Sequence, residues 1–260
     1  AEEPEDGIQD HRITMESLGI DIGGSGIKAA LVNTLTGELL SDRLRMATPQ
    51  PSTPERVAAV VAEAALQLGW HGPAGIGFPA AVTQGIVRTA TNIDHKWIGM
   101  DAVELFSEAL GQPCTVLNDA DAAGLAEIAF GEGRDVAGTV IVLTLGTGIG
   151  SAVFNNGILQ PNTELGHLLF RGDIAEHYAS DAARKAAGLS WEKWGKRLDK
   201  YLKHVENLFW PQLLILGGGS SRKFEAFAAQ LTTRTPVVAA RHRNQAGLIG
   251  AAMASSRART

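Results

Sequence analysis

Apolar and polar positions alternate along this chain in short β-runs separated by glycine turns and longer helical stretches. Residues 18–21 read as a strand, glycines at 23, 24 and 26 interrupt it, and residues 27–32 resume it, which makes a hairpin with a glycine tip. Turn residues Asn33, Thr34, Thr36 and Gly37 lead to a third strand predicted over 38–45. Pro54 opens a helix with Val57, Val60, Val61, Ala64, Ala65 and Leu68 on one face. GIGFPA at 75–80 is a further strand, Ile86-Val87 a short extended piece, and 101–110 a helix capped by Asp101 and stopped by Gly111. TVLNDADAAGLAE at 115–127 then joins a buried strand to an Ala-rich helix through Asn118 and Asp119.

After that junction the pattern begins again. Residues 139–145 form the most strand-like run, followed by Gly146-Thr147-Gly148-Ile149-Gly150, a strand over 151–154 and the hairpin turn Asn156-Gly157. DIGGSGIKAAL at 21–31 is thus echoed by TLGTGIGSAVF at 144–154. The repeat is too long for a solenoid, so the reading is an internal duplication giving two α/β lobes that face each other. The longest helix is predicted over 190–210, with Trp194, Leu198, Tyr201, Leu202, Val205, Leu208 and Phe209 as its apolar stripe. A strand at 213–216 runs into a third glycine loop, Gly217-Gly218-Gly219-Ser220-Ser221. A last strand at 235–239 and a closing helix at 244–255 follow, the helix crossing back onto the first lobe. The division expected is a flexible acidic lead at 1–16, a smaller lobe from 17–116 plus 245–260, and a larger lobe at 117–244.

With 260 residues, 45% of them hydrophobic, the chain can bury a sizeable core and suits one large domain or two modest ones. A net charge of −5 offers no overall footprint for nucleic acid or an anionic membrane. The single cysteine, Cys114, rules out an internal disulfide and a cysteine zinc site, and its place beside an apolar strand reads as core. No signal-peptide pattern or membrane-length apolar run is visible, so a cytoplasmic protein is expected.

Asn118 and Asp119 have two readings. Either side chain can cap the helix that follows, or Asp119 can face a ligand at the carboxyl end of a strand, where open α/β sheets place their ligands. A single glycine turn needs no ligand. Three of them, each ending a β-run, present backbone N–H groups suited to phosphate oxygens. None matches a P-loop or a complete dinucleotide-binding fingerprint.

These segments carry a family resemblance. DIGGSGIK at 21–28, LGTGIGSA at 145–152 and ILGGGSS at 215–221 resemble the two phosphate motifs and the adenosine motif of the sugar kinase and actin-like ATPase superfamily. TATNIDHKW at 89–97, LNDADAA at 117–123 and ELGHLLF at 164–170 are similar to the sugar loop, the catalytic Asn-Asp and the Glu-x-Gly-His motif of the ROK sugar kinases, and more narrowly of those that use polyphosphate. The likeness spans about residues 18–253. It implies an α/β, two-lobed actin-like or hexokinase (ribonuclease H-like) ATPase fold with the active site in the interlobe cleft. The implied reaction moves a phosphoryl group from polyphosphate, ATP or both to the 6-hydroxyl of glucose or a related hexose, with Mg2+ and a homodimeric state.

Carried over motif by motif, the resemblance makes Asp119 the general base, with Asp121 as the rival two residues on. Asn92, Asn118, Asp119, Glu164, His167 and Glu176 would bind sugar, with Gly77 and Pro79 beside them. Gly23, Gly24, Ser25, Gly26 and Lys28, then Gly146, Thr147, Gly148 and Gly150, then Gly217, Gly218 and Gly219 would hold the donor, and Asp21 would support Mg2+ directly or through water. One departure is informative. The region 171–180 lacks the cysteines of the usual ROK zinc motif, so no zinc is expected, and His167 reads as a sugar partner rather than as a metal ligand with His177. Lys193, Lys196, Arg197, Lys200, Lys203 and His204, with Arg184 and Lys185 nearby, are either a track for a polyanionic donor or a solvated helix face. A sugar-responsive regulator is the reading from another class, and the acidic residues before Leu18 do not resemble its DNA-reading segment.

Overall fold

The computed structural model describes residues 16–257, so the acidic lead at 1–15 lies outside the described residues. Residue 16, expected to belong to that lead, opens the first strand. The duplication expected from the glycine hairpins is realised as two five-stranded sheets with the same plan.

In the first sheet β1 (Glu16–Ile22) and β2 (Ile27–Asn33) form the hairpin, and β3 (Leu44–Met46) extends it antiparallel on the far side of β2. Two strands, β4 (Ala74–Phe78) and β7 (Cys114–Asn118), join β1 in parallel, giving the order β3-β2-β1-β4-β7. The second sheet repeats this with β8 (Thr139–Leu145), β9 (Ile149–Asn155), β10 (Ile158–Gln160), β13 (Leu213–Gly217) and β14 (Val237–Ala239), in the order β10-β9-β8-β13-β14. Two minor hairpins, β5 (Val82–Thr83) with β6 (Ile86–Val87) and β11 (Leu169–Phe170) with β12 (Asp173–Ile174), carry loops toward the cleft between the sheets.

Helices α1 (Pro54–Gln67) and α2 (Ala102–Leu110) cover the outer face of the first sheet, where Leu18, Ile20, Phe78, Trp97 and Phe106 form the core. In the second half α4 (Glu176–Ala179), α5 (Asp181–Ala186) and α6 (Trp191–Phe209) follow the minor hairpin, and Trp194, Leu198, Tyr201, Leu202 and Phe227 fill the core under α6. Between the halves lie α3 (Asp119–Phe130) and α7 (Ala246–Arg257), packed on each other. Helix α7 also lies on β1 and β4 at very short range, because a Cβ on Gly19 or Gly75 would collide with its Leu248 or Ala251 carbonyl, and one on Gly250 with the Ala122 carbonyl of α3. The closing helix therefore returns to the first sheet, as its position in the duplication required.

Three sequence expectations change. The strand predicted over 38–45 shrinks to an isolated Leu39 bridge with Val32 and to β3, because Ser41 accepts the Leu31 N–H that a continuous ladder would use. The lobe boundary expected at 116/117 falls inside β7, whose Cys114–Asn118 pairs with β4, so the first sheet keeps the chain to residue 118. The apolar stripe of α6 stops short, since Leu208 and Phe209 are 53% and 37% exposed beyond the sheet edge. Cys114 is half-buried beside Ser107 and Val103, and burial pushes its thiol pKa up, as suits a core-edge residue. Among the described residues no helix is long and apolar enough to cross a membrane.

Candidate active site

The parallel strands of both sheets point their carboxyl ends into the cleft between the halves, the usual ligand position of open α/β sheets. A cavity of about 500 Å3 occupies it. On one wall are the β1–β2 turn (Gly23, Gly24, Ser25) and the β8–β9 turn (Gly146, Thr147, Gly148, Gly150). Each turn is closed by its own backbone bond, Gly23 N–H to Gly26 O at 3.0 Å and Gly146 N–H to Gly148 O at 3.0 Å. Closed glycine turns of this kind can present their remaining amides to an anion.

Asn118 ends β7 and caps α3, its Oδ1 accepting from Ala120 N at 2.8 Å and Asp121 N at 3.1 Å. Its Nδ2 donates to Ala80 O at 3.2 Å, so one amide hydrogen is left for a ligand. Asn118 caps the helix, and Asp119, the next residue, lines the cavity. Burial, then repulsion from Asp21, Glu164 and Asp121, raises the Asp119 pKa to about 7, against a bond from Ala120 N–H. Asp121 is raised to about 7 as well, chiefly by burial. It is 1% exposed, lies outside the cavity lining, and its Oδ2 accepts from Asn162 N at 2.7 Å, so it has no route to a sugar hydroxyl.

Asn92, Pro79, Glu164, His167 and Glu176 line the same cavity. His167 stands between two carboxylates, 3.9 Å from Glu164 and 3.7 Å from Glu176. Burial raises the Glu164 pKa, His167 lowers it and Glu176 raises it. Glu176 Oε2 accepts from Ile149 N at 3.0 Å, which ties Glu176 to the β8–β9 turn, and a side chain at Gly148 would strike that carboxylate. His177 points elsewhere, into a 3.0 Å pair with Asp173 that lowers the Asp173 pKa.

A second cavity of about 210 Å3 shares Asp119, Thr144 and Gly218 with the first. Asp21, Lys28, Gly217, Gly219, Arg243 and Asn244 line it. Asp21 and Lys28 face each other across the β1–β2 ladder and pair at 2.6 Å. Among the described residues no cluster of three or more His, Cys, Asp or Glu could hold a metal by itself. Asp21 and Asp119 both line this cavity, and such carboxylates suit Mg2+, which takes few protein ligands and completes its shell with phosphate oxygens and water.

Two expected contacts are placed differently. Gly77 lies within β4 beneath Asp119 and lines neither cavity, and Gly26 is buried in the closure of its turn. Other lining residues were not foreseen: Ala80, Thr144 and Ile149, Arg243 and Asn244, and also Thr89 and Thr91, which sit inside the TATNIDHKW segment. The basic stripe of α6 lines neither cavity. Lys196 pairs with Glu192 at 3.3 Å, Lys203 with Asp199 at 3.0 Å, and Arg197 lies over the Tyr178 ring. Arg184 and Lys185 both pair with Asp181.

Comparison with known proteins fits this geometry. The ROK family profile matches residues 17–178. This chain belongs to the ROK family. It is 50% identical over 239 residues to the polyphosphate glucokinase of Mycobacterium tuberculosis (strain CDC 1551 / Oshkosh), covering 92% of this chain and 90% of that protein. Among solved structures, the inorganic polyphosphate/ATP-glucomannokinase of Arthrobacter sp. strain KM superposes with a TM-score of 0.90 at 47% identity, over 94% of this chain and 99% of that one. A ROK family glucokinase from Streptomyces griseus, solved with glucose and AMPPNP, gives a TM-score of 0.78 at 26% identity, over 93% and 99% of the two chains. The α/β fold is thus that of the ROK sugar kinases.

Proposed function

We propose that this ROK protein transfers the terminal phosphoryl group of polyphosphate or ATP to the 6-hydroxyl of glucose. The observation that carries it is one cavity lined by two glycine turns, by Asp119 and by the hydrogen-bonding side chains of Asn92, Glu164, His167 and Glu176. Identity of 50% to a protein named polyphosphate glucokinase and of 47% to one named inorganic polyphosphate/ATP-glucomannokinase supports the choice of donor and acceptor.

In this reading Asn92, Glu164, His167 and Glu176, with the free N–H of Asn118, fix the sugar by directional bonds that an apolar competitor leaves unmade. Asp119 accepts the 6-hydroxyl proton as its oxygen attacks the terminal phosphorus, and the bond to the shortened polyphosphate or ADP breaks. The amides of the two glycine turns stabilise the charge that spreads over the transferring group. Asp21, with Lys28 beside it, would hold Mg2+, which neutralises phosphate charge when bound. Lobes divided near 118 and 245, a cytoplasmic location and a homodimer belong to the same proposal, and light scattering tests the dimer.

The test is a coupled glucose 6-phosphate assay with Mg2+, run with ATP and with long-chain polyphosphate. Turnover with either donor is expected, and no turnover of any hexose with either would sink the reading. The lysine and arginine that line the cavities are Lys28 and Arg243, while those of α6 lie outside both, with Lys196 and Lys203 in ion pairs. Neutralising Lys193 and Lys200 together should therefore leave the polyphosphate KM within about twofold, as expected of a solvated helix face. Arg243→Gln should raise it several-fold. The reverse ranking would restore the α6 track.

A further inference from the structure

Asn162, in the turn after β10, belongs to neither cavity, yet it reaches across the cleft with every polar group it has free. Its Oδ1 accepts from Val82 N at 2.9 Å and its Nδ2 donates to Val82 O at 2.9 Å, so one side-chain amide copies a backbone pairing with β5. Its own N–H donates to Asp121 Oδ2 on α3 at 2.7 Å, and its backbone is left-handed, with φ of 57°. Three elements from both halves thus converge on one residue.

What this contact holds in place is the sugar wall. On the first half, Ala81 next to Val82 donates its N–H to Thr89 Oγ1 at 3.0 Å, and Ala80 O accepts from Asn118, so the strapped segment positions two groups that line the cavity. On the second half, Glu164 follows Asn162 by two residues. Ser151 pins the chain around it, accepting from Leu165 N at 2.9 Å and donating to Thr163 O at 2.6 Å. Among the described residues no hydrogen bond joins Asn162 or Val82 to either glycine turn, although Ser151 directly follows the second. Asp121 explains itself here too. A carboxylate that is 1% exposed, with Oδ1 lacking any partner among the described residues, is costly to keep, and its one visible contact is the Asn162 amide.

We propose that Asn162, held by Asp121, is a positioning residue: a clasp that sets the two rims of the sugar site in register across the cleft. The proposal rests on the sugar-phosphorylating reading above. A clasp of this kind acts on the acceptor and spares the donor, because misplacing groups by about an ångström costs orientation only where those groups touch substrate.

The test compares KM values for glucose and for the phosphoryl donor in four proteins. Asn162→Gly keeps the left-handed backbone and deletes the amide. It should raise the glucose KM about tenfold or more and leave the donor KM within about twofold. Asp121→Ala should move in the same direction, and Asp121→Asn should restore the parent value, since an amide oxygen still accepts from Asn162 N–H. A glucose KM unchanged in Asn162→Gly, parallel rises in both KM values, or no difference between the two Asp121 variants would each overturn the clasp. If the parent phosphorylates no sugar, the functional reading falls by itself. Hydrogen exchange at the Val82 amide then decides the clasp, faster exchange in Asn162→Gly supporting it and an unchanged rate overturning it.

Discussion

The Asp119→Asn variant is expected to bind glucose and lose turnover by about 10^3-fold, the range that removal of a positioned general base produces. The amide keeps the size and the hydrogen-bonding reach of the carboxylate but accepts no proton. The same group sets the pH profile. With a pKa near 7, Asp119 is mostly protonated in acid and cannot act as base. Parental kcat/KM should fall about tenfold per pH unit below 7 and flatten above it. The stability effect runs the other way. Asp119 binds its proton more tightly folded than unfolded, so the stability it contributes is complete below about pH 4 and is lost as pH rises toward 7. At pH 8 the Asp119→Asn protein should consequently melt higher than the parent. Calorimetry and a stopped assay on one preparation check both halves; near-normal turnover in the variant would remove Asp119 from its role.

Gly75→Ala is expected to be the most damaging conservative change outside the cleft. The new methyl group would meet the Ala251 carbonyl of α7, a backbone atom that cannot turn aside as a side chain could. Overpacking against backbone costs about 3 kcal/mol at the upper end of its usual range. Because α7 also touches β1 and α3, its displacement would loosen the joint between the halves. Gly250→Ala, which would strike the Ala122 carbonyl of α3, should act alike. The urea midpoint of each variant measures this, and parental midpoints for both would mean that α7 shifts at little cost.

Much of this protein was written locally. The glycine hairpins at 23–26 and 146–150, the caps at Asn118, Asp101 and Ser190, and the period of α1 and α6 all depend on residues a few positions apart. Local chemistry therefore set them, and the repeated hairpin was enough to anticipate two sheets of one plan. The Asn-Asp junction was legible for the same reason, since a strand end followed by a cap places the next side chain at the strand's carboxyl edge.

What lay beyond the sequence depended on which distant segments meet. The strand expected over 38–45 failed because Ser41 accepts the Leu31 N–H, a competition no period reveals. The α6 stripe looked continuous through Phe209, yet the end of the sheet left Leu208 and Phe209 exposed. The basic residues of α6 read as either a track or a solvated face, and only the structure set Glu192 and Asp199 beside Lys196 and Lys203 and left the stripe outside both cavities. Asp119 and Asp121 are two residues apart and alike in chemistry; only the packing of α3 turns one into the cavity and buries the other against Asn162. Sequence alone determined the turns, caps and faces, because short-range sterics and hydrogen bonds decide them. The tertiary structure decided which carboxylate lines the cavity, because burial and charge at a point are sums over residues brought together from the whole chain.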